Sequence, residues 1–326
     1  MRKAQRRRFW LYPVVIVLAQ LLAFEASAQS YPNKPVRMVA GTTPGGGADT
    51  ICRLIAPKLS EYLGQQVIVE NRPGASGAIA TERVAKSPPD GYTLQMITSS
   101  TIIVVALRAN LPFDLERDLA PVSLVTSAPL VLVVHPSVPA RNVKELIALA
   151  RSRPGKLDFA STGVGSTAHL AGELFSSMAR IKLVHVPYKG AAEAVMATAA
   201  GEISINLPSL TSALSLLGTG KFRPLAVTSA KRSSLTPSIP TIDESGVPGY
   251  DYAVWYGVLA PAAVPKDIIA HLNAAFLKLN TPEMKASVMK AGQELQTTSP
   301  AQFAAFIRSE IAKNAKLVKL IGLKPE

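Results

Sequence analysis

Twice in this chain a short β-type run ends in a glycine- and hydroxyl-rich turn that opens at once into an amphipathic helix. The first run, 36–40, leads into Gly41-Thr42-Thr43-Pro44-Gly45-Gly46-Gly47. A helix is predicted over 48–62, with Ile51, Leu54, Ile55 and Leu59 on one face. The second run, 157–160, leads into Ser161-Thr162-Gly163-Val164-Gly165, with a helix predicted over 166–178. Strand–turn–helix units of this kind build α/β folds around largely parallel sheets. Bare backbone N–H groups at a helix start attract an anion. Each turn therefore reads in two ways, as half of an anion site or as a tight connection and nothing more.

Neither turn is a nucleotide site. Gly41 and Gly46 have the spacing of a phosphate-binding loop, but Gly47 stands where that loop needs lysine. Gly163, Gly165 and Ala168 satisfy G-x-G-x-x-A, but the next strand, 183–187, does not end on the acid that a dinucleotide fold requires. No cofactor is expected.

The N-terminus reads as an export signal. Five Lys/Arg within the first eight residues precede an apolar stretch, 9–24, and Ala26-Ser27-Ala28 supplies a small-x-small cleavage site. The apolar stretch holds Pro13 and Gln20 and is short for a bilayer span of about 20 residues. Cleavage after Ala28 is expected, leaving residues 29–326 in the periplasm. The full chain carries 35 Lys/Arg against 22 Asp/Glu, and loss of residues 1–28 lowers the net charge from +13 to +9. The remaining charges are scattered, which suits a small anionic ligand better than a nucleic acid. Cys52 stands alone, so no internal disulfide is available.

The β-rich patch 124–135 opens a second strand set. Asn142-Val143-Lys144-Glu145 and Ser299-Pro300-Ala301-Gln302 read as helix-starting capping boxes, and Thr281-Pro282 as a start with proline at the first helical position. Too many strands are present for one tidy sheet, so two domains are expected. Trp255 and Tyr256 fall on a late strand, where core packing is the default and walling a cleft the alternative. The four histidines, His135, His169, His185 and His271, are isolated in sequence, with no metal-ligand spacing and no G-x-S-x-G elbow nearby. Ser166 and His169 share a helix face and could form a hydrolase pair, but they lack an elbow and a third group.

The stretches 31–37 and Pro44-Gly45-Gly46-Gly47-Ala48-Asp49 resemble the start of the Bug proteins, substrate-binding components of tripartite tricarboxylate transporters. Val69-Glu70-Asn71-Arg72-Pro73-Gly74-Ala75, the run 89–94, His169-Leu170-Ala171-Gly172-Glu173-Leu174-Phe175, Val184-His185-Val186-Pro187-Tyr188-Lys189-Gly190 and the run 225–232 continue the similarity in collinear order. The resemblance implies a two-domain periplasmic-binding-protein fold, a type II-like Venus flytrap with two crossings. Its first domain would be 29–127 plus 255–326, and its second 128–254. It implies a non-enzymatic carboxylate receptor, monomeric, that delivers its ligand to a membrane permease. A periplasmic sensor that signals to a membrane receptor would use the same fold. Carried over by position, Thr42, Thr43, Gly46, Gly47, Thr98 and Ser99 line one side of the cleft. Ser161, Thr162, Gly165, Ser166, Thr167 and Asn206 line the other. Relatives often carry Phe-Pro in place of Thr42-Thr43, and Asp-Asn-Leu-Pro in place of Ile205-Asn206-Leu207-Pro208. The missing carboxylate at Ile205 argues for a ligand without an ammonium group.

Overall fold

A computed structural model of the chain describes residues 31–107, 110–213, 216–320 and 322. The expected export signal and its cleavage point lie outside the described residues. The predicted strand–turn–helix units form and generate two sheets. The first sheet begins with β1 (Val36–Ala40), α1 (Gly47–Leu63), β2 (Val67–Asn71), α2 (Ala78–Ala85), β3 (Thr93–Thr98) and α3 (Ser99–Leu107). β1 pairs in parallel with β2 and β3. β4 (Leu119–Pro129) then runs into β5 (Val131–Val134) through Leu130 alone, and the chain passes into the second sheet.

The second sheet adds α4 (Val143–Ser152), β6 (Asp158–Ser161), α5 (Thr167–Ala179), β7 (Val184–Pro187), α6 (Ala191–Ala200), β8 (Ile205–Asn206), α7 (Leu210–Ala213) and β9 (Arg223–Val227). The chain returns along β10 (Ala253–Pro261), followed by α8 (Lys266–Leu277), α9 (Pro282–Lys290), β11 (Glu294–Leu295) and α10 (Pro300–Leu320). The six-stranded sheet has the order β11-β4-β10-β3-β1-β2, and the five-stranded sheet β7-β6-β8-β5-β9.

Both sheets are mixed, where the local pattern predicted largely parallel pairing. β10 is antiparallel to β3 and β4, and β5 is antiparallel to β8 and β9. These are the strands that enter from the other sheet, so their direction follows from the route of the chain and leaves no local signature. The β-rich patch 124–135 is accordingly divided between β4 and β5.

The capping signals hold in detail. Asn142 Oδ1 accepts from the Glu145 amide at 2.9 Å, and Thr281 Oγ1 from the Met284 amide at 3.2 Å. Ser299 and Gln302 exchange reciprocal side-chain-to-amide bonds of 3.0 and 3.3 Å. Each sheet has its own apolar core. One is built around Met38, Ile51, Ile55, Leu94 and Phe276, and the other around Leu132, Phe159, Leu170, Phe175 and Ile205. Cys52 is buried in the first of these. α10 ties the return strand down. Trp255 Nε1 donates to Glu310 Oε2 at 3.0 Å, and Tyr252 Oη to Asn314 Oδ1 at 2.8 Å.

Candidate functional site

Between the two sheets lies a cavity of about 210 Å³. The five-stranded sheet and its helices contribute Ser161, Thr162, Ser166, Thr167, Ala168, Ala191, Ala194, Val195, Asn206, Leu207, Pro208 and Ser209. Ser100 on α3, Leu130 between β4 and β5, and Val254 and Tyr256 on β10 complete the wall. Among the described residues, none in this lining is Asp, Glu, Lys, Arg or His.

The second glycine-rich turn behaves as its sequence indicates. Ser166 caps α5, its Oγ accepting from the His169 amide at 3.2 Å. The amides of Thr167 and Ala168 have no hydrogen-bond partner among the described residues, as expected for a first helical turn. Both residues line the cavity. Gly165 does not line it; its amide donates to His169 Nδ1 at 3.1 Å. Asn206 lines the cavity, while its Nδ2 donates to Ala194 O and Thr198 Oγ1, each at 3.0 Å. Asn206 thereby tethers α6, whose first residue, Ala191, also lines the cavity, its amide without a hydrogen-bond partner among the described residues. Two helix N-termini thus converge on one space, and each presents a partial positive charge.

Missing from the sequence-based set are the α6 start and Ser100, while Tyr256 takes the cleft-walling alternative open to it. The α6 start was findable, because Tyr188-Lys189-Gly190 after β7 repeats the strand–turn–helix arrangement with one glycine. Ile205, the residue invoked there against an ammonium, does not face the cavity. It is wholly buried in the core of the five-stranded sheet, on the opposite face from Asn206, because consecutive strand residues alternate.

The first turn is organised around an anion of its own. Asp49, 3% exposed, accepts from Arg53 Nε at 2.9 Å, from the Gly45 amide at 2.8 Å and from Asn71 Nδ2 at 2.9 Å. Its amide donates to Thr42 Oγ1 at 3.3 Å. The Arg53 hydrogen bond is the main cause that holds the Asp49 carboxyl below the usual range. Thr42, Thr43, Gly46 and Gly47 do not line the cavity, but Gly47 abuts the hydroxyl of Tyr256, a residue that does. From the end of β3, Thr98 Oγ1 lies 3.4 Å from Thr101 Oγ1. Ser99 is 4% exposed and its Oγ is unpaired. Neither lines the cavity. The next residue, Ser100, does, and its Oγ lies 3.4 Å from Thr167 Oγ1.

Behind the second turn two of the four histidines, His169 and His185, meet. His185 Nε2 lies 2.5 Å from Ser161 Oγ, and the His169 and His185 rings stack. Phe159 packs against both rings. The hydrolase pairing of Ser166 with His169 is absent, since His169 Nδ1 faces the Gly165 amide and Ser166 Oγ is engaged as a cap.

A family model described as the tripartite tricarboxylate transporter family receptor matches residues 51–323. Protein BugT of Bordetella pertussis is 36% identical over 309 residues, which cover 93% of this chain and 94% of that protein. Among solved structures, R. palustris Rpa4515 with adipate is 37% identical, with a TM-score of 0.79 over 91% of this chain and all of that one. MatC from Rhodopseudomonas palustris with bound malate is 29% identical, with a TM-score of 0.73 over 88% of this chain and all of that one.

Proposed function

The chain belongs to the tripartite tricarboxylate transporter receptor family, which includes the Bug proteins, and on that premise we propose that it is a periplasmic solute-binding protein for a small carboxylate without an ammonium group. It hands this ligand, unchanged, to a tripartite membrane permease. It acts as a monomer and without a cofactor. Adipate and malate, held by two relatives, are of this chemical class.

The lining of the cavity carries the reading. A carboxylate finds two helix N-termini, the hydroxyls of Thr162 and Thr167, and the bare amides of Thr167, Ala168 and Ala191. Neutral donors of this kind hold an anion without a desolvated guanidinium or ammonium. The ligand's body meets Leu130, Val195, Leu207, Pro208 and Val254. An ammonium finds no carboxylate among the described residues of the lining, and a buried charge without a partner is strongly unfavourable. The volume is below the roughly 300 Å³ at which drug-sized pockets begin, which favours a compact ligand.

The two lobes, 29–127 with 255–326 and 128–254, close on the ligand about the crossing strands. Closure brings Thr42, Thr43, Gly46, Gly47, Thr98 and Ser99 toward the ligand from the first lobe, while Ser161, Thr162, Gly165, Ser166, Thr167 and Asn206 hold it from the second.

A thermal-shift screen of the protein against carboxylates and amino acids tests this function. A ligand at 100 times its dissociation constant adds about 2.7 kcal/mol of stability. Non-amino carboxylates are expected to raise the melting temperature. A response confined to amino acids overturns the reading.

A further inference from the structure

Five cations gather at the end of the five-stranded sheet that lies away from the cavity. Arg151 stands in the last turn of α4, and Arg153 and Lys156 follow it; Arg180 closes α5, and Lys182 follows it. The two segments abut. Arg151 Nη2 donates to Ala179 O at 2.7 Å, and the Gly155 amide to Lys182 O at 3.0 Å. All five cations are exposed. Several exposed cations elsewhere pair with acids, as Lys58 does with Glu61, Arg117 with Asp118 and Arg232 with Glu244. Among the described residues none of these five has an acidic partner, and apart from Arg151 none has a hydrogen-bond partner for its side chain. Asp158, the acid nearest in sequence, is half-buried and accepts the Ser204 amide at 2.6 Å. Arg180 adds a second signal. It holds the left-handed conformation, φ 53°, at the end of α5, where α1 and α6 use Gly64 and Gly201. Glycine adopts this conformation freely and an L side chain does not. Arginine stands there against the backbone preference, and its guanidinium engages nothing among the described residues.

We propose that Arg151, Arg153, Lys156, Arg180 and Lys182 form a docking surface for the anionic phosphodiester headgroups of a phospholipid bilayer. Clusters of about four to eight Lys/Arg bind anionic bilayer surfaces, each cation strengthening the attachment by about fivefold. Long, exposed side chains meet a headgroup layer without shape complementarity, and guanidinium groups pair bidentately with phosphate. The placement also fits. β6 begins beside the patch and ends at Ser161 on the cavity, and α5, about 20 Å long, returns from the cavity to Arg180. A chain held at the bilayer by this patch keeps its cavity free to take and release a ligand. Confinement to the surface also shortens the search for a membrane permease. The inference goes beyond the carboxylate-binding function and stands without it.

Co-sedimentation with vesicles tests the proposal. The probes are vesicles of phosphatidylglycerol mixed with phosphatidylcholine, and vesicles of phosphatidylcholine alone. One variant carries Arg151→Gln, Arg153→Gln, Lys156→Gln, Arg180→Gln and Lys182→Gln. A second removes the same charge elsewhere, through Lys266→Gln, Lys285→Gln, Lys290→Gln, Lys316→Gln and Lys319→Gln, all at exposed positions. The wild type is expected to bind the anionic vesicles alone and to leave them at about 0.5 M salt, where the Debye length falls below about 5 Å. The first variant is expected to bind them about a hundredfold more weakly or worse, and the second to stay within about tenfold of the wild type. Arg180→Gly relieves the backbone, so it is expected to raise the melting temperature while weakening vesicle binding about fivefold, which separates lost contact from lost fold. Equal losses in the two multiple variants, or a wild type that ignores anionic vesicles, overturn the proposal. Capture of poly-glutamate without vesicle binding assigns the patch to an acidic polypeptide and overturns it as well. None of these results bears on the carboxylate-binding function, which the thermal-shift screen decides.

Discussion

The imidazoles of His169 and His185 stack with ring centroids 3.9 Å apart and an interplanar angle of 23°. Both lie behind the turn that lines the candidate site. His169 Nδ1 accepts the Gly165 amide at 3.1 Å, so in the neutral ring the proton sits on Nε2, which is 3.8 Å from Glu173 Oε1. Protonation at Nδ1 would set two donors against each other. Burial and then the charge of His185 lower the His169 pKa to about 4, and burial lowers that of His185.

The sign of the pH dependence follows. Between about pH 6.5 and 4 the unfolded chain binds a proton at His169 that the folded protein refuses. The stabilisation is therefore complete above pH 6.5 and is lost as pH falls toward 4, by on the order of 2 kcal/mol. His169→Asn places an amide oxygen near Nδ1 without a titrating ring. Urea unfolding from pH 7 to 4 is expected to give a flatter stability profile for this variant than for the wild type. Parallel profiles would show that His169 takes up its proton alike in the folded and the unfolded chain.

Gly172, on α5, lies against the face of Phe159. A Cβ there would come within 2.7 Å of Phe159 Cδ2 and 2.9 Å of Cζ, and Phe159 is fully buried. Gly172→Ala gains helix propensity but overpacks this contact, and a net loss of about 1–3 kcal/mol is expected. Thermal denaturation checks it; a stabilised variant would mean that the ring has room to shift.

Asp49 pins the first turn to α1 and β2. Asp49→Ala removes the acceptor of the Gly45 amide, Arg53 and Asn71, and is expected to cost about 1–3 kcal/mol at pH 7. The folded-state pKa is lowered, so this contribution is present above the unfolded value of about 3.9 and fades as pH falls below it. The urea midpoint should drop with little change in slope.

Asn206 joins β8 to α6 through its two amide hydrogens. Asn206→Asp sets a carboxylate oxygen against Ala194 O, and is expected to destabilise more than Asn206→Ala at pH 7. The difference should shrink in acid as the new carboxyl gains a proton. Equal stabilities at pH 7 would show that the tether to α6 contributes little.

Much of the architecture was legible because its determinants are local. The strand–turn–helix units, the Asn142, Thr281 and Ser299 caps and the hydroxyls of the second turn all follow from spacing within a few residues. What escaped depends on distant contacts. The mixed pairing of β5 and β10 is set by the route between sheets. His169 and His185, isolated in sequence, meet because β6 and β7 run in parallel beneath α5. Strand alternation dictates that Trp255 and Tyr256 face opposite ways, but not which of them meets the cavity. Asp49 was visible as part of a motif, while its grip on the turn needs Asn71 from β2.

The central claim is that a cavity of neutral donors accepts a carboxylate and refuses an ammonium. Calorimetric titration with matched pairs, malate against aspartate and adipate against 2-aminoadipate, tests it most directly. Within each pair the ammonium is the distinguishing group, and the predicted result is binding of the non-amino acid with its amino partner weaker by about a hundredfold or more. Amino partners that bind as tightly as the plain acids would contradict the account.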